Sequence, residues 1–300
     1  MWLPKLIFSQ LGPYLGLLLG WILQKKTAYR IGEWVVSILV KRPGSDLVRS
    51  VRANQAVIRD LDYEDGRLTG YVSEVLNNAA YGLVDWFHSV AHPAALENLP
   101  CSIDDHLIEE VYRSQAEGHG VVIVGAHLSC FNMFLMMIAQ RKWPVQILSY
   151  HAEQGSHRSD NILRKRFGLN VTPISSTSLR QAFQRLRSGG CVLTGIDRPD
   201  TGSESLSFFG RPTTLPVGHA RIALRTGARL MVVAVQNAQP GTYHVVGSSL
   251  NEAEGGGDEQ GNALRLAQRV LDRLERYIRE RPSEWMMFIP VWPEVLPKQS

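Results

Sequence analysis

His127 follows a continuous apolar, β-branched run, Gly120-Val-Val-Ile-Val-Gly-Ala126, and precedes an apolar helical stretch from Phe131 to Gln140. An imidazole at the end of a buried strand lies where open α/β sheets place reactive groups. Its near-neutral titration suits it to act as a general base. A histidine there is as readily a packed structural residue, so its surroundings decide. Asp197 and Arg198 close a later strand that begins at Cys191. Parallel strands bring their C-terminal ends to one edge of a sheet, which would set Asp197 near His127. Arg164 and Arg166 flank Lys165 on the helix after the second strand, and Arg211 ends the segment Phe-Phe-Gly-Arg. A guanidinium fork matches a phosphate or carboxylate in two parallel hydrogen bonds.

Several chemistries lose their usual sequence support. There is no G-x-S-x-G elbow, no G-x-x-x-x-G-K-[ST] loop, no G-x-G-x-x-G after the first strand and no H-E-x-x-H. Cys130 lies three residues after His127 without a third ligand nearby. The three cysteines, Cys101, Cys130 and Cys191, are far apart and form no C-x-x-C pair, which fits a reducing compartment and neither a disulfide framework nor a structural zinc site.

The elements that must position these groups follow from apolar spacing. With 300 residues, 44% hydrophobic and 20% charged, the chain can build a sizeable core. From 43 to 117 the spacing is helical throughout. From 118 onward strand and helix patterns alternate: strands at 120–126, 145–150, 171–174, 191–196, 206–209, 230–235 and 243–247, and helices at 131–140, 158–167, 178–187 and 216–226. A long amphipathic helix through Leu264, Leu271 and Ile278 follows, after an acidic, glycine-rich surface loop at 252–261. The expected fold class is α/β, a mostly parallel central sheet flanked by helices, with a boundary near residue 42 that separates an N-terminal hydrophobic anchoring segment (1–42) from the globule (43–300).

Residues 1–60 carry nine Lys/Arg against three Asp/Glu, while the whole chain has a net charge of only +4. Leu6 to Gln24 is free of charge and, as one helix, would reach about 28 Å, close to a bilayer core. Gln10, Pro13 and the glycines at 12, 16 and 20 weaken it as a simple span, whereas Trp2, Tyr14 and Trp21 suit a headgroup boundary. A second apolar stripe through Ile31, Trp34, Val35, Ile38 and Leu39 is followed by Lys41, Arg42, Arg49, Arg52 and Arg59. Such a surface would be held by anionic lipid, as an anchor that either spans or lies in the membrane.

Four segments in order, Gly125-Ala-His-Leu-Ser-Cys-Phe-Asn132, Gly190-Cys-Val-Leu-Thr-Gly-Ile-Asp-Arg198, Phe208-Phe-Gly-Arg-Pro212 and the helix opening Pro216-Val-Gly-His, together resemble the lipid A biosynthesis acyltransferase family. That family includes the lauroyl and myristoyl acyltransferases and the phosphatidylinositol mannoside acyltransferases. The resemblance extends to Val51-Arg-Ala-Asn-Gln55 and to the closing turn Pro282-Ser-Glu-Trp285. It implies transfer of a fatty acyl group from acyl carrier protein or coenzyme A to a hydroxyl of a membrane glycolipid or phospholipid. The place would be the cytoplasmic face of the inner membrane, with no metal or bound organic cofactor and no nucleic acid partner. The family signature is H-x-x-x-x-D/E, and here the last position is Asn132. The expectation is therefore His127 as base and Asn132 as its orienter, with Asp197 first among substitutes for the missing acid. Arg164 or Arg166, together with Arg198, Arg211 and Gly218, are the candidate substrate contacts. An asparagine carbonyl can fix the imidazole tautomer but stabilises the imidazolium less than a carboxylate does. The alternative is a catalytically inactive relative that binds lipid or a partner enzyme.

Overall fold

A computed structural model of the chain describes residues 9, 11–150, 156–200, 204–239, 241–250 and 258–297. Trp2, Lys5, residues 6–8 and Gln10 of the expected anchor, and 252–257 of the expected acidic loop, lie outside the described residues.

Residues 12–91 form a helical layer: α1 (Gly12–Ile22), α2 (Lys25–Val40), α3 (Asp46–Ile58) and α4 (Leu68–Ala91). The uncharged run does not continue as one helix, because Leu23 turns extended and α2 starts at Lys25. Among the described residues no helix is long and apolar enough to cross a membrane. Two of the glycines that weaken the run as a span permit close packing instead. A side chain on Gly16 would collide with the Phe87 ring, and one on Gly20 would come within 2.7 Å of the Phe87 carbonyl oxygen, so α1 lies directly on α4. Val36 and Leu39 of α2 share an apolar cluster with Val48, Val51, Val72 and Val75, which joins residues on both sides of position 42. At the start of α2, the Lys25 ammonium lies 2.6 Å from the buried Asp85 carboxylate, which also accepts the Tyr29 and Tyr243 hydroxyls. This pairing compensates a carboxylate that would otherwise be buried alone. The outer faces of α1 and α2 leave Leu11, Leu18, Trp21, Ile22 and Trp34 exposed.

The stretch expected to be wholly helical also contains a strand, β1 (Cys101–Ile103), ahead of α5 (Asp105–Ala116). Three residues are too few to break a helical periodicity in a sequence window, and β1 is defined by its parallel pairing with a strand 142 residues later. The α/β part continues with β2 (Val121–Gly125), α6 (Phe131–Gln140), β3 (Val145–Ser149), α7 (Ser156–Arg166), β4 (Asn170–Pro173), α8 (Ser176–Arg187) and β5 (Cys191–Gly195). The hairpin β6 (Glu204–Phe208) and β7 (Arg211–Leu215) follows, then α9 (Gly218–Thr226), β8 (Arg229–Gln239), β9 (Thr242–Leu250) and α10 (Glu259–Glu280). Only one strand was expected where the hairpin lies. Pro212 hides β7 in the sequence but is tolerated on the edge of a two-stranded ribbon, and Phe209 and Gly210 form its turn with φ of 52° and 71°.

The main sheet runs β1-β9-β8-β2-β5-β3-β4, parallel at every pairing except β8 with β9. Alternate residues of β2 enter different cores. Val122 and Val124 pack with α8, α9 and α10, whereas Val121 and Ile123 pack with α6 and the α4 side. Burial on both faces explains why β2 reads as an unbroken apolar run.

Candidate active site

β2 and β5 pair in parallel with Gly125 opposite Gly195, so the residues two beyond each strand, His127 and Asp197, emerge side by side at the C-terminal edge of the sheet. The His127 Nδ1 lies 2.7 Å from Asp197 Oδ1. Asp197 Oδ2 accepts the backbone N–H of His127 at 2.8 Å and the indole N–H of Trp285 at 2.8 Å. Asp197 is fully buried. Burial by itself would raise its carboxyl pKa, but the His127 charge and the three donors outweigh it and hold the group below the usual carboxylate range. A carboxylate on Nδ1 places the ring proton there and leaves Nε2 as the basic nitrogen. The His127 side chain is 35% exposed, and no described residue hydrogen-bonds to Nε2.

The loop that carries His127 is held by the C-terminal turn. Leu128 bridges to Trp285, the Met286 N–H donates to the His127 carbonyl at 2.7 Å, and the Ser129 N–H donates to the Glu284 carbonyl at 2.7 Å. Cys130 caps the start of α6 with its thiol donating to the Gly82 carbonyl, and burial pushes that thiol above its ordinary pKa, which disfavours the thiolate.

Asn132 does not orient His127. Its Oδ1 accepts the Arg164 Nε–H at 3.1 Å and Nη2–H at 2.8 Å, and the contact expected of it at Nδ1 is made by Asp197. The physical reason is that α6 begins only at Phe131, so Asn132 stands in its first turn, against α7. Arg164 is 8% exposed, and its Nη1–H donates to Asn161 Oδ1 at 2.9 Å. The acceptors on this guanidinium are thus neutral amide oxygens, and burial lowers its pKa from the ordinary value against the pull of Asp160. The Phe131 ring stands between the two sites, edge-on to His127 at 5.2 Å and with the Arg164 guanidinium 5.5 Å away.

The remaining candidates divide. Arg166 is exposed, so of the two α7 arginines Arg164 is the inward one. Arg198 lies over the Tyr150 ring at 4.3 Å, with a buried Nε that has no acceptor among the described residues, and it makes no ion pair with Asp197. Arg211 is exposed at the β6–β7 turn. Gly218 opens α9, and nothing lies within 4 Å of where its side chain would be. His219 beside it is buried, and neither ring nitrogen makes a well-formed hydrogen bond among the described residues. Burial pushes its pKa down to about 4, with only the Pro216 carbonyl to oppose the shift. Among the described residues no three His, Cys, Asp or Glu converge on a point that could hold a metal ion. Trp285, Asn161 and Phe131 complete the site without having been singled out for it. A buried tryptophan N–H usually finds an acceptor, which is the one signal that Trp285 offered in advance.

A family model described as bacterial lipid A biosynthesis acyltransferase matches residues 96–294. Phosphatidylinositol mannoside acyltransferase of Mycobacterium tuberculosis (strain ATCC 25618 / H37Rv) is 29% identical over 184 residues, which covers 59% of this chain and 56% of the relative. The protein of the same name from Mycolicibacterium smegmatis is 24% identical over 192 residues, covering 62% of this chain and 60% of the relative. The matched region therefore spans less than two thirds of the length of these relatives.

Proposed function

The chain belongs to the bacterial lipid A biosynthesis acyltransferase family, and on that premise we propose that it transfers a fatty acyl group from a thioester, carried by coenzyme A or acyl carrier protein, to a hydroxyl of a membrane glycolipid or phospholipid. The observation that carries this reading is the buried Asp197 carboxylate 2.7 Å from Nδ1 of an imidazole whose other nitrogen is left basic. His127 Nε2 takes the proton of the acceptor hydroxyl as its oxygen attacks the thioester carbonyl. Asp197 stabilises the imidazolium that forms. When the tetrahedral intermediate collapses, the C–S bond breaks and the imidazolium proton passes to the departing thiolate, so no covalent enzyme intermediate is needed. A carboxylate in this position does what Asn132 could not. The motive for an inactive relative, the amide at position 132, is thereby weakened.

Arg164 supports an anionic headgroup next to the base. It is a buried cation hydrogen-bonded to neutral amides and separated from His127 by one aromatic ring. Arg198 and the α9 opening at Gly218 belong to the same proposal as further acceptor contacts, while the exposure of Arg166 and Arg211 argues for a surface role for both. Residues 1–42 would dock on anionic lipid through the apolar faces of α1 and α2, with 43–300 as the acyltransferase body at the cytoplasmic face of the inner membrane.

The test is transfer of a radiolabelled acyl group from acyl-CoA and from acyl carrier protein, offered separately, to mannosylated phosphatidylinositol, to its neutral diacylglycerol-linked mannoside counterpart and to lysophospholipid. Labelled product on a glycolipid or phospholipid hydroxyl supports the reading. Absence of product with both donors and all three acceptors, from folded protein on vesicles, would refute it.

A further inference from the structure

Two sequence features that the reaction itself does not use meet behind Asp197. The Phe208-Phe209-Gly210 turn of the hairpin and the Pro282-Ser-Glu-Trp285 turn form one aromatic cluster with Trp292. The Trp285 ring lies 6.3 Å from Phe209 in a stacked arrangement, 6.0 Å from Phe208 edge-on and 6.1 Å from Trp292 edge-on. Phe208, Trp285 and Trp292 are almost wholly buried. The two tryptophans differ in one respect. The Trp285 N–H donates to Asp197 Oδ2 at 2.8 Å, whereas the Trp292 N–H has no acceptor among the described residues.

The two oxygens of Asp197 have separate tasks. Oδ1 faces His127 Nδ1, and Oδ2 is held by the indole N–H and by the backbone N–H of His127. The backbone of Trp285 is in turn bridged to Leu128, and the next residue, Met286, donates to the His127 carbonyl. Base, carboxylate and indole therefore form a closed ring of contacts. Loss of the indole N–H would leave Oδ2 with a single donor in a dry site and free the carboxylate to turn away from Nδ1.

We propose that Trp285 is a positioning residue, whose N–H fixes the Asp197 carboxylate toward His127 while the Phe208-Phe209 turn packs the indole in place. The kinetic part of this rests on the acyl-transfer reading above. The geometric part does not, and the two are separable by experiment. Trp285→Phe and Trp292→Phe each remove an indole from the same cluster, but only the first removes a hydrogen bond to Asp197. The downfield proton resonance of the His127 Nδ1–H···Asp197 bond, identified by its loss in His127→Ala, is recorded by NMR for each variant without any substrate. kcat and KM for acyl transfer are measured in parallel.

In Trp285→Phe the resonance moves upfield or broadens away, and kcat falls about tenfold to a hundredfold with KM within about twofold, as expected for one hydrogen bond to a charged group. Trp292→Phe keeps the wild-type resonance and kcat. Equal effects of the two variants on both readouts, or no effect of Trp285→Phe on the resonance, would overturn the proposal. Should Trp285→Phe fail to fold, incorporation of benzothienylalanine at position 285 replaces N–H by sulfur at the same shape and is judged by the same criteria. If wild type shows no turnover with any donor, the function proposed above fails while the resonance still decides the role of Trp285.

Discussion

Asn132→Asp restores the carboxylate of the family signature, and the structure makes its consequences specific. The new carboxylate would replace an amide whose single oxygen accepts from both Arg164 Nε and Nη2, at 3.1 and 2.8 Å, so that one carboxylate oxygen would stand on the side edge of the guanidinium and the pair would be charged on both sides. The bonds to Asn132 already involve a charged group, a class worth about 1.5–3 kcal/mol, so what the variant adds is the attraction of a second, opposite charge. Loss of hydration of the new carboxylate cancels part of that attraction, and the variant should be about 1 kcal/mol more stable at pH 7. A carboxyl pKa depressed by the Arg164 charge means that the gain is present above the unfolded value of about 3.9 and is lost as pH falls through the folded value. The same ion pair would neutralise the cation proposed to meet the acceptor headgroup. KM for a phosphate-bearing acceptor should therefore rise about fivefold or more, with KM for a neutral glycolipid little changed, and kcat should stay within about twofold because Asp197 already occupies Nδ1. Urea denaturation at pH 7 and steady-state kinetics on both acceptors measure these effects. A rise of tenfold or more in kcat with no change in stability would show that the carboxylate reaches His127 and that the Asn132–Arg164 placement is wrong.

Two further perturbations probe the surroundings. The pKa of His219, held down at about 4 against an ordinary 6.5, means that the unfolded chain binds more protons than the native one between these values, so stability is full above pH 6.5 and falls as pH is lowered toward 4. His219→Leu should remove about 2 kcal/mol of the stability lost between pH 8 and pH 5, read from denaturation curves at the two pH values; an unchanged pH dependence would mean that another group is responsible. The exposed faces of α1 are tested by the double variant Leu18→Glu and Trp21→Glu, which replaces residues 50% and 66% exposed. Flotation with anionic vesicles should be lost while the circular dichroism spectrum is retained, and flotation equal to that of wild type would move the docking surface elsewhere.

Much of the sheet was legible because its strands are buried on both faces and flanked by amphipathic helices, so each appears as an apolar run between helical periods. The elements that escaped are those whose identity lies in a partner. β1 is a strand because it meets β9, and β7 because it meets β6 across a two-residue turn. The candidate active-site edge shows the same division. His127 could be placed from its own strand and Asp197 from the rule that parallel strands end together, but which group fills Nδ1 depends on the Gly125–Gly195 register, and that is a fact about pairing. The signature of the resembled family suggested Asn132 instead, and a linear signature cannot reveal that α7 delivers a buried arginine to the same side chain. The glycines of α1 carry the same lesson. They look like weaknesses in a span until Phe87 is seen to lie where their side chains would be.

The central claim, a His127–Asp197 pair that deprotonates a lipid hydroxyl, is tested most directly by single-turnover acyl transfer with wild type, His127→Ala and Asp197→Asn, each checked for native fold by circular dichroism. The rate constant should fall by about a hundredfold to ten-thousandfold in His127→Ala, and by about a thousandfold to ten-thousandfold in Asp197→Asn, where the amide cannot stabilise the imidazolium. A folded Asp197→Asn protein that transfers acyl groups at the wild-type rate would contradict the claim.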